Sequence, residues 1–178
     1  GIGGDFWRRD DSNDFEWVRA LRRGFELGLR LVDTSELYGD GHAEELIKIA
    51  ASGVEEVLAV SKIHPASLEP EEVFKRLSRS AERLGRRPWI AMLHWVPAGY
   101  TICDVVKVLE AAVARGLADH YGLSNVTHSQ LASALTCAKK LQPAAVENRY
   151  SLRYRRDELD VLPLAQREGL LYLGYSAL

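Results

Sequence analysis

The stretch LRLVDTSELY, residues 29–38, decides the expected fold because a short apolar run leads directly into polar residues. The run, residues 29–32, has the length of a strand buried on both faces, and Asp33 closes it. Gly28 precedes the run and is a natural end for a helix. The stretch therefore predicts a helix end, a buried strand and a loop, as in a repeating α/β unit.

The same pattern recurs along the chain at intervals of about 22 to 32 residues, the length of a βα unit. This spacing favours a (β/α) barrel over a doubly wound open sheet, since no GxGxxG motif follows a strand. We expect one α/β domain over residues 1–178, of the (β/α)8 TIM-barrel class. The apolar runs are residues 29–32, 57–60, 90–93, 118–123, 143–146 and 170–174, closed in turn by Asp33, Lys62, His94, Asn125, Glu147 and Tyr175.

Capping signals set the helix boundaries between these runs. Asn13 with Glu16, and Thr127 with Gln130, have the spacing of capping boxes. Pro70 suits a first helical turn. We also predict helices over residues 42–52, 102–115 and 157–168, the last with a kink or a late start at Pro163.

Composition narrows the classes of function. A net charge of −2 offers no overall basic field for nucleic acid or an anionic membrane. No apolar run approaches the roughly 18 residues that cross a bilayer, and no signal-peptide pattern is present. Cys103 and Cys137 lack the spacing of a metal or redox motif, so we expect free thiols, no metal and a cytoplasmic protein.

Four of the polar residues indicate carbonyl chemistry when they are taken together. Lys62 ends a buried strand and needs an acidic partner, which Asp33 on the preceding strand would supply. Tyr38 can fold back toward Lys62, whose charge would lower the phenol pKa toward neutrality. His94 would add an imidazole. Each residue also has a plainer interpretation, as a structural ion pair, an exposed loop tyrosine or a core histidine, and only the combination favours an active site.

The motifs that contain these residues resemble those of the aldo-keto reductases. They are DTSELYG at residues 33–39, SK at 61–62, LHW at 93–95, GLSN at 122–125 and YSAL at 175–178, and they span nearly the whole chain in the family's order. The resemblance implies NADPH, with NADH as the alternative, and hydride transfer to a small-molecule aldehyde or ketone. Tyr38 would donate the proton, Lys62 and Asp33 would tune it, and His94 would orient the carbonyl.

The resemblance also implies a cofactor site and a substrate pocket. Glu147 stands where the family usually has Gln, and a carboxylate cannot donate a hydrogen bond to the nicotinamide carboxamide. Ser124 and Asn125 would hold that carboxamide, and Tyr175 would stack on the ring. The implied cofactor set is Ser124, Asn125, Glu147, Tyr175, Ser176 and Leu178, and the implied pocket is Phe6, Trp7 and Trp95.

The family's barrel has eight strands, whereas the sequence gives signals for six. We expect the first and eighth strands to be missing, with residues 1–7 forming the loop after the first. If these residues were the complete molecule, we would expect weak cofactor binding and poor stability. Two exposed parallel edges would then flank the gap and could support an oligomer. Two other functions stay open: a catalytically weak or inactive scaffold or cofactor-sensing subunit of the same fold, and a barrel lyase or isomerase using Lys62 as a Schiff-base nucleophile.

Overall fold

The structure is a computed structural model that describes residues 4–5 and 7–177, with side chains described over residues 7–177. Strands and helices alternate along the chain, as the sequence predicts. The strands are β1 (Gly4–Asp5), β2 (Arg8–Arg9), β3 (Leu31–Ser35), β4 (Leu58–Ile63), β5 (Ile90–Leu93), β6 (His120–Ser124), β7 (Ala145–Arg149) and β8 (Leu171–Tyr175). The helices are α1 (Asp14–Glu26), α2 (His42–Ala50), α3 (Pro70–Leu84), α4 (Ile102–Ala114), α5 (His128–Cys137) and α6 (Val161–Arg167), and a 3₁₀ turn spans Arg156–Leu159.

Six strands form one parallel sheet in the order β3-β4-β5-β6-β7-β8. Strands β1 and β2 pair separately as a short antiparallel ribbon, of which β1 lies within the segment expected to be a loop and β2 directly follows it. Sequential parallel neighbours joined by helices are the arrangement of a (β/α) barrel, so the described residues form an incomplete TIM barrel, as predicted. The strands continue past the apolar runs. Asp33 and Lys62 therefore lie inside their strands, because backbone pairing extends to Ser35 on β3 and to Ile63 on β4.

The core lies on both faces of the middle strands. All four residues of β5 are buried, whereas the edge strands β3 and β8 contain exposed positions. On the inner face, Met92 packs so closely against Gly122 that a Cβ there would lie 2.5 Å from Met92 Cε and 2.9 Å from the Ala145 carbonyl. The inner core thus requires a glycine in β6. On the outer face, helices α3, α4 and α5 contribute the fully buried Leu77, Leu109 and Leu131.

The helix starts at Asn13 and Thr127 test the two predicted capping boxes. Thr127 and Gln130 form the predicted reciprocal box at the start of α5. The Asn13 box is wrong, because the Asn13 backbone at φ −122° and ψ 18° is not extended and its side chain makes no cap hydrogen bond. The amide instead donates to Ser12 Oγ at 3.1 Å.

The last helix begins later than residue 157, as Pro163 suggested. The 3₁₀ turn comes first, and α6 begins at Val161, where the Asp160 side chain accepts a hydrogen bond from the Val161 N–H. Among the helices of residues 4–5 and 7–177, none combines the length and the apolar character that crossing a membrane requires.

The expectation of free thiols is wrong. Cys103 in α4 and Cys137 at the end of α5 form a disulfide with their Cα atoms 5.8 Å apart. The two cysteines are 34 residues apart in sequence, and only the packing of α4 against α5 brings them together.

Candidate active site

Lys62 is the centre of the candidate site, at the carboxyl-end edge of the sheet. Its side chain is 1% exposed, and its ammonium contacts the Asp33 carboxylate and lies 3.1 Å from Glu147 Oε1. Asp33 is on the adjacent strand, but Glu147 is on β7, three strands away from β4. In a flat sheet three strand spacings would separate them by about 14 Å. The sheet is therefore curled into part of a barrel, and its curvature builds the site.

Tyr38 and His94 complete the group that the sequence predicted. Tyr38 lies on the loop after β3, where its N–H donates to the Ser35 carbonyl at 3.1 Å. Its ring centroid is 5.5 Å from Lys62 Nζ and 5.7 Å from the His94 ring, which meets it edge-on. The structure thus brings the side chains of Tyr38, His94 and Lys62 with Asp33 into one mouth.

The charges around Lys62 do not balance, because one ammonium faces two carboxylates. Burial raises the pKa of Glu147; the Lys62 ammonium opposes the rise and the Asp33 carboxylate adds to it, leaving the pKa at about 7. Burial lowers the pKa of Lys62, but the charges of Asp33 and Glu147 outweigh it, so the pKa is raised. Lys62 therefore stays an ammonium, and Glu147 is the group that exchanges a proton near neutral pH.

Lys62 acts on Tyr38 in the predicted direction, but the pKa of Tyr38 does not fall toward neutrality as expected. Burial raises the Tyr38 pKa most; the Lys62 ammonium lowers it, and the carboxylates of Asp33 and Glu147 raise it again. The net result is a raised pKa. Sequence reasoning left out the burial of the phenol and the second carboxylate, which the curled sheet supplies.

His94 is a neutral imidazole at pH 7. Burial lowers its pKa to about 4, and the positive charge of Lys62 contributes in the same direction. Ser35 Oγ lies 3.2 Å from His94 Nδ1 and donates to the Lys62 carbonyl at 2.7 Å. Sequence analysis gave Ser35 no role, although its place two residues after Asp33, on the same face of β3, was the available signal.

The candidate cofactor residues lie beside this group. Asn125, in the left-handed region at φ 56°, donates from Nδ2 to the His94 carbonyl at 2.8 Å and accepts from Tyr175 Oη at 2.6 Å. Ser124 is buried next to Glu147 in the β6–β7 register. Ser176 is exposed, also at positive φ. Leu178 lies outside the described residues.

An open depression of about 240 Å³ adjoins these residues, and its lining includes Asn125, Tyr175 and Arg149. The Arg149 guanidinium lies 5.1 Å from the centre of the Tyr154 ring. The exposed amide of Asn125 and the partly exposed ring of Tyr175 therefore face a space that a flat polar group can enter.

An aromatic rim borders the other side of the group. The exposed ring of Trp7 lies 5.2 Å from His64, and Trp95 lies 5.3 Å from His64 and 5.4 Å from His94. Both predicted pocket residues thus meet at His64, which sequence analysis missed although it stands two residues past Lys62. Burial lowers the pKa of His64. Phe6, also predicted for the pocket, lies outside the described residues.

The sequence profile of the Aldo/keto reductase family matches residues 1–178. The chain therefore belongs to the aldo-keto reductase family. Methylglyoxal reductase YeaE of Escherichia coli K12 is 31% identical over 180 residues, covering 100% of this chain and 63% of that protein. Aflatoxin B1 aldehyde reductase member 2 of Rattus norvegicus is 28% identical, covering 96% of this chain and 49% of that protein.

Solved structures of the family share the fold. The thermostable aldo-keto reductase Tm1743, in complex with the inhibitor epalrestat, superposes with a TM-score of 0.87 at 27% identity, covering 98% of this chain and 67% of that chain. An aldo/keto reductase from Klebsiella pneumoniae, in complex with NADP and acetate, gives a TM-score of 0.87 at 29% identity, covering 97% and 62%. This chain thus spans about half to two thirds of the length of these relatives.

Proposed function

We propose that the chain forms the catalytic part of an NADP(H)-dependent oxidoreductase that reduces a small aldehyde or ketone to an alcohol. The observation that carries this proposal is the buried Lys62 ammonium 5.5 Å from the centre of the Tyr38 ring, with the neutral His94 imidazole edge-on to the same ring at 5.7 Å. A carbonyl oxygen placed between Tyr38 and His94 would meet a proton donor and a polarising group together. Family membership and the NADP-bound relative support the cofactor class.

Each residue of the group has a distinct task in this proposal. Bound NADPH supplies a hydride to the carbonyl carbon. Tyr38 gives its proton to the oxygen as negative charge develops there, and Lys62 stabilises the phenolate that Tyr38 becomes. Asp33 holds the ammonium in place. Because His94 is neutral at pH 7, it contributes a hydrogen bond to the oxygen, which leaves proton donation to Tyr38.

The candidate cofactor residues, of which Asn125 and Tyr175 line the depression, suit a nicotinamide cofactor in most respects. Asn125 and Ser124 offer amide and hydroxyl groups for the carboxamide, while Tyr175 offers a partly exposed ring for stacking, and Ser176 stands next to it. Glu147 fits only when protonated, since its ionised form donates no hydrogen bond. NADP(H) is the proposed cofactor, with NAD(H) as the alternative.

The proposed substrate is a small carbonyl compound, as the name of the E. coli relative, methylglyoxal reductase, suggests. The rim of Trp7, His64 and Trp95 would cover its non-reacting part. A single domain over residues 1–178, a cytoplasmic location and association through the sheet edges stay predictions.

The Schiff-base alternative fits the site less well. An amine must lose its proton to attack a carbonyl, and enzymes arrange this by removing counter-charges or adding a second cation. Lys62 instead faces two carboxylates, which raise its pKa. Borohydride trapping that labels Lys62 in the presence of a ketone would nevertheless favour that alternative over hydride transfer.

Replacing Tyr38 by Phe tests the proposal. We expect the rate of NADPH oxidation with methylglyoxal or another small aldehyde to fall roughly 10²- to 10⁴-fold, because the proton donor is lost. NADPH binding, followed by nicotinamide fluorescence, should change little. The matched control is Tyr100→Phe, which alters an exposed tyrosine on the loop after β5. Equal turnover by Tyr38→Phe and the control would refute the role of Tyr38, and a wild-type chain that turns over no aldehyde would favour the scaffold.

A further inference from the structure

Glu147 does more than occupy the cofactor side of the site. Its carboxylate, 3% exposed as a residue, faces Lys62 Nζ at 3.1 Å and lies within hydrogen-bonding reach of Asp33. Asp33 contacts the same ammonium. With both carboxylates ionised the buried group would carry a net charge of one negative unit. Protonation of Glu147, whose pKa burial raises, removes that excess charge.

We propose that Glu147 is a positioning residue that sets the acidity of the Tyr38 phenol through the charge that it places beside Lys62. When Glu147 is protonated, the Asp33 carboxylate alone balances the Lys62 ammonium, and no excess negative charge opposes formation of the Tyr38 phenolate. When Glu147 loses its proton, the cluster carries one excess negative charge, and Tyr38 becomes a weaker acid. The consequence for turnover rests on the proposed function, whereas the consequence for the phenol does not.

The titratable groups that face Glu147 come from every side of the mouth. They are Asp33 on β3, Tyr38 on the following loop, Lys62 on β4 and Tyr175 on β8. The β6 neighbour, Ser124, does not ionise in this range. Of these groups only Lys62 is a cation, so a change in the charge of Glu147 is felt at Lys62 and, through it, at Tyr38. The direction of this effect on the Tyr38 pKa agrees with the proposal, since the carboxylate of Glu147 raises the pKa of Tyr38.

The direct test measures the phenol itself and needs no turnover. A 3-fluorotyrosine placed at position 38 is titrated by fluorine NMR in the full chain, with Glu147 and with Glu147→Gln. We expect the midpoint pH of the Tyr38 titration to fall in Glu147→Gln, because a neutral amide no longer offsets Lys62. The matched control is Glu110→Gln, which neutralises a buried carboxylate at the amino ends of the strands, where it accepts from three backbone N–H groups. An unchanged midpoint in Glu147→Gln would overturn the proposal.

A second measurement covers the case in which Glu147→Gln does not fold. The wild-type chain carrying carboxyl-labelled glutamate is titrated by carbon NMR, with the Glu147 signal assigned from Glu147→Asp. We expect one glutamate carboxyl to titrate near neutral pH and to disappear in the Asp variant. Titration of that signal near the ordinary glutamate value of about 4.3 would overturn the proposal.

The pH profile of carbonyl reduction separates this role from a merely structural one. In the wild-type chain kcat should decline on the alkaline side as Glu147 loses its proton, and Glu147→Gln should remove that decline. Identical profiles for the two chains would overturn the link to turnover. A chain with no turnover at any pH would count against the proposed function, while the fluorine titration would still decide the inference about Glu147.

Discussion

Two consecutive residues of β4, Ser61 and Lys62, belong to two different buried charge clusters. One cluster stabilises the fold, and the other is suited to proton transfer. Ser61 points outward to helix α2, where its hydroxyl donates to the fully buried Glu44 at 2.6 Å and Arg83 Nε donates to the same carboxylate at 2.6 Å. Lys62 points inward, to Asp33 and Glu147. Adjacent residues face opposite sides of a strand, so one strand supplies both clusters.

The difference between the clusters lies in their charge balance. On the outer face one carboxylate meets one guanidinium, and a hydroxyl occupies its other oxygen. The charges of that cluster balance. On the inner face two carboxylates meet one ammonium, and the pKa of Glu147 is raised to about 7, so this cluster can exchange a proton near neutral pH. A balanced buried cluster therefore fixes two helices to the sheet, and an unbalanced one beside a phenol can take part in proton transfer.

Replacing Lys62 by Met should give the largest effect, on stability and activity together. The change leaves two carboxylates without a cation, and breaking a buried ion pair costs about 3–5 kcal/mol. Because Glu147 can take up a proton instead, the loss in the free energy of unfolding should be larger at pH 8 than at pH 6, as measured by urea denaturation. Reduction of aldehydes should be lost at both pH values. The control is Lys48→Met, which alters an exposed lysine of α2. If Lys62→Met lost the same free energy of unfolding at the two pH values, the cluster would not have the excess negative charge described above.

Replacing Arg83 by Met should break the outer cluster with a smaller effect. Glu44 would lose its cation, but the Arg83 side chain is 23% exposed and water can replace part of the interaction. We expect about 2 kcal/mol less free energy of unfolding, with the pH profile of turnover unchanged in shape. Adding Glu44→Gln to Arg83→Met should recover part of the loss, since no uncompensated charge remains. A changed pH profile would mean that the two faces of β4 are coupled.

The smallest expected effect concerns an unbalanced cluster at the surface. His42 at the start of α2 faces Asp14 at 2.8 Å, Asp11 at 3.1 Å and Glu45 at 3.1 Å, and Arg9 contacts Asp11 and Glu45. Burial lowers the pKa of His42, but the hydrogen bonds to Asp14 and Glu45 outweigh it, so the pKa is raised.

A raised pKa in the folded chain means that protonated His42 stabilises the fold below its ordinary pKa of about 6.5, and that this contribution is lost as pH rises through the folded value. Because its acidic partners are partly exposed, we expect less than about 1 kcal/mol. Urea midpoints at pH 5.5 and pH 8.5, compared with those of His42→Gln, measure this difference. A variant with the same pH dependence as the wild type would exclude His42 as its source.

The sequence predicted the ends of helices well where neighbouring residues alone determine them. The start of α5 at Thr127 and the start of α3 at Pro70 both follow from capping chemistry within a few residues. The Asn13 box failed because an identical spacing has no effect unless the backbone is extended at the cap. The disulfide between Cys103 and Cys137 could not be predicted, since it depends on how two helices pack.

By itself, the sequence determined the order of strands, the family and the four side chains of the mouth, because periodicity, caps and short motifs act over neighbouring residues. Tertiary structure alone decided how those side chains titrate. Asp33 and Glu147 are 114 positions apart and on strands that do not touch, yet the curl of the sheet places both on one ammonium. Burial and electrostatic interactions depend on distance in space, so the buried environment and the second carboxylate that together raise the pKa of Tyr38 exist only in the folded chain.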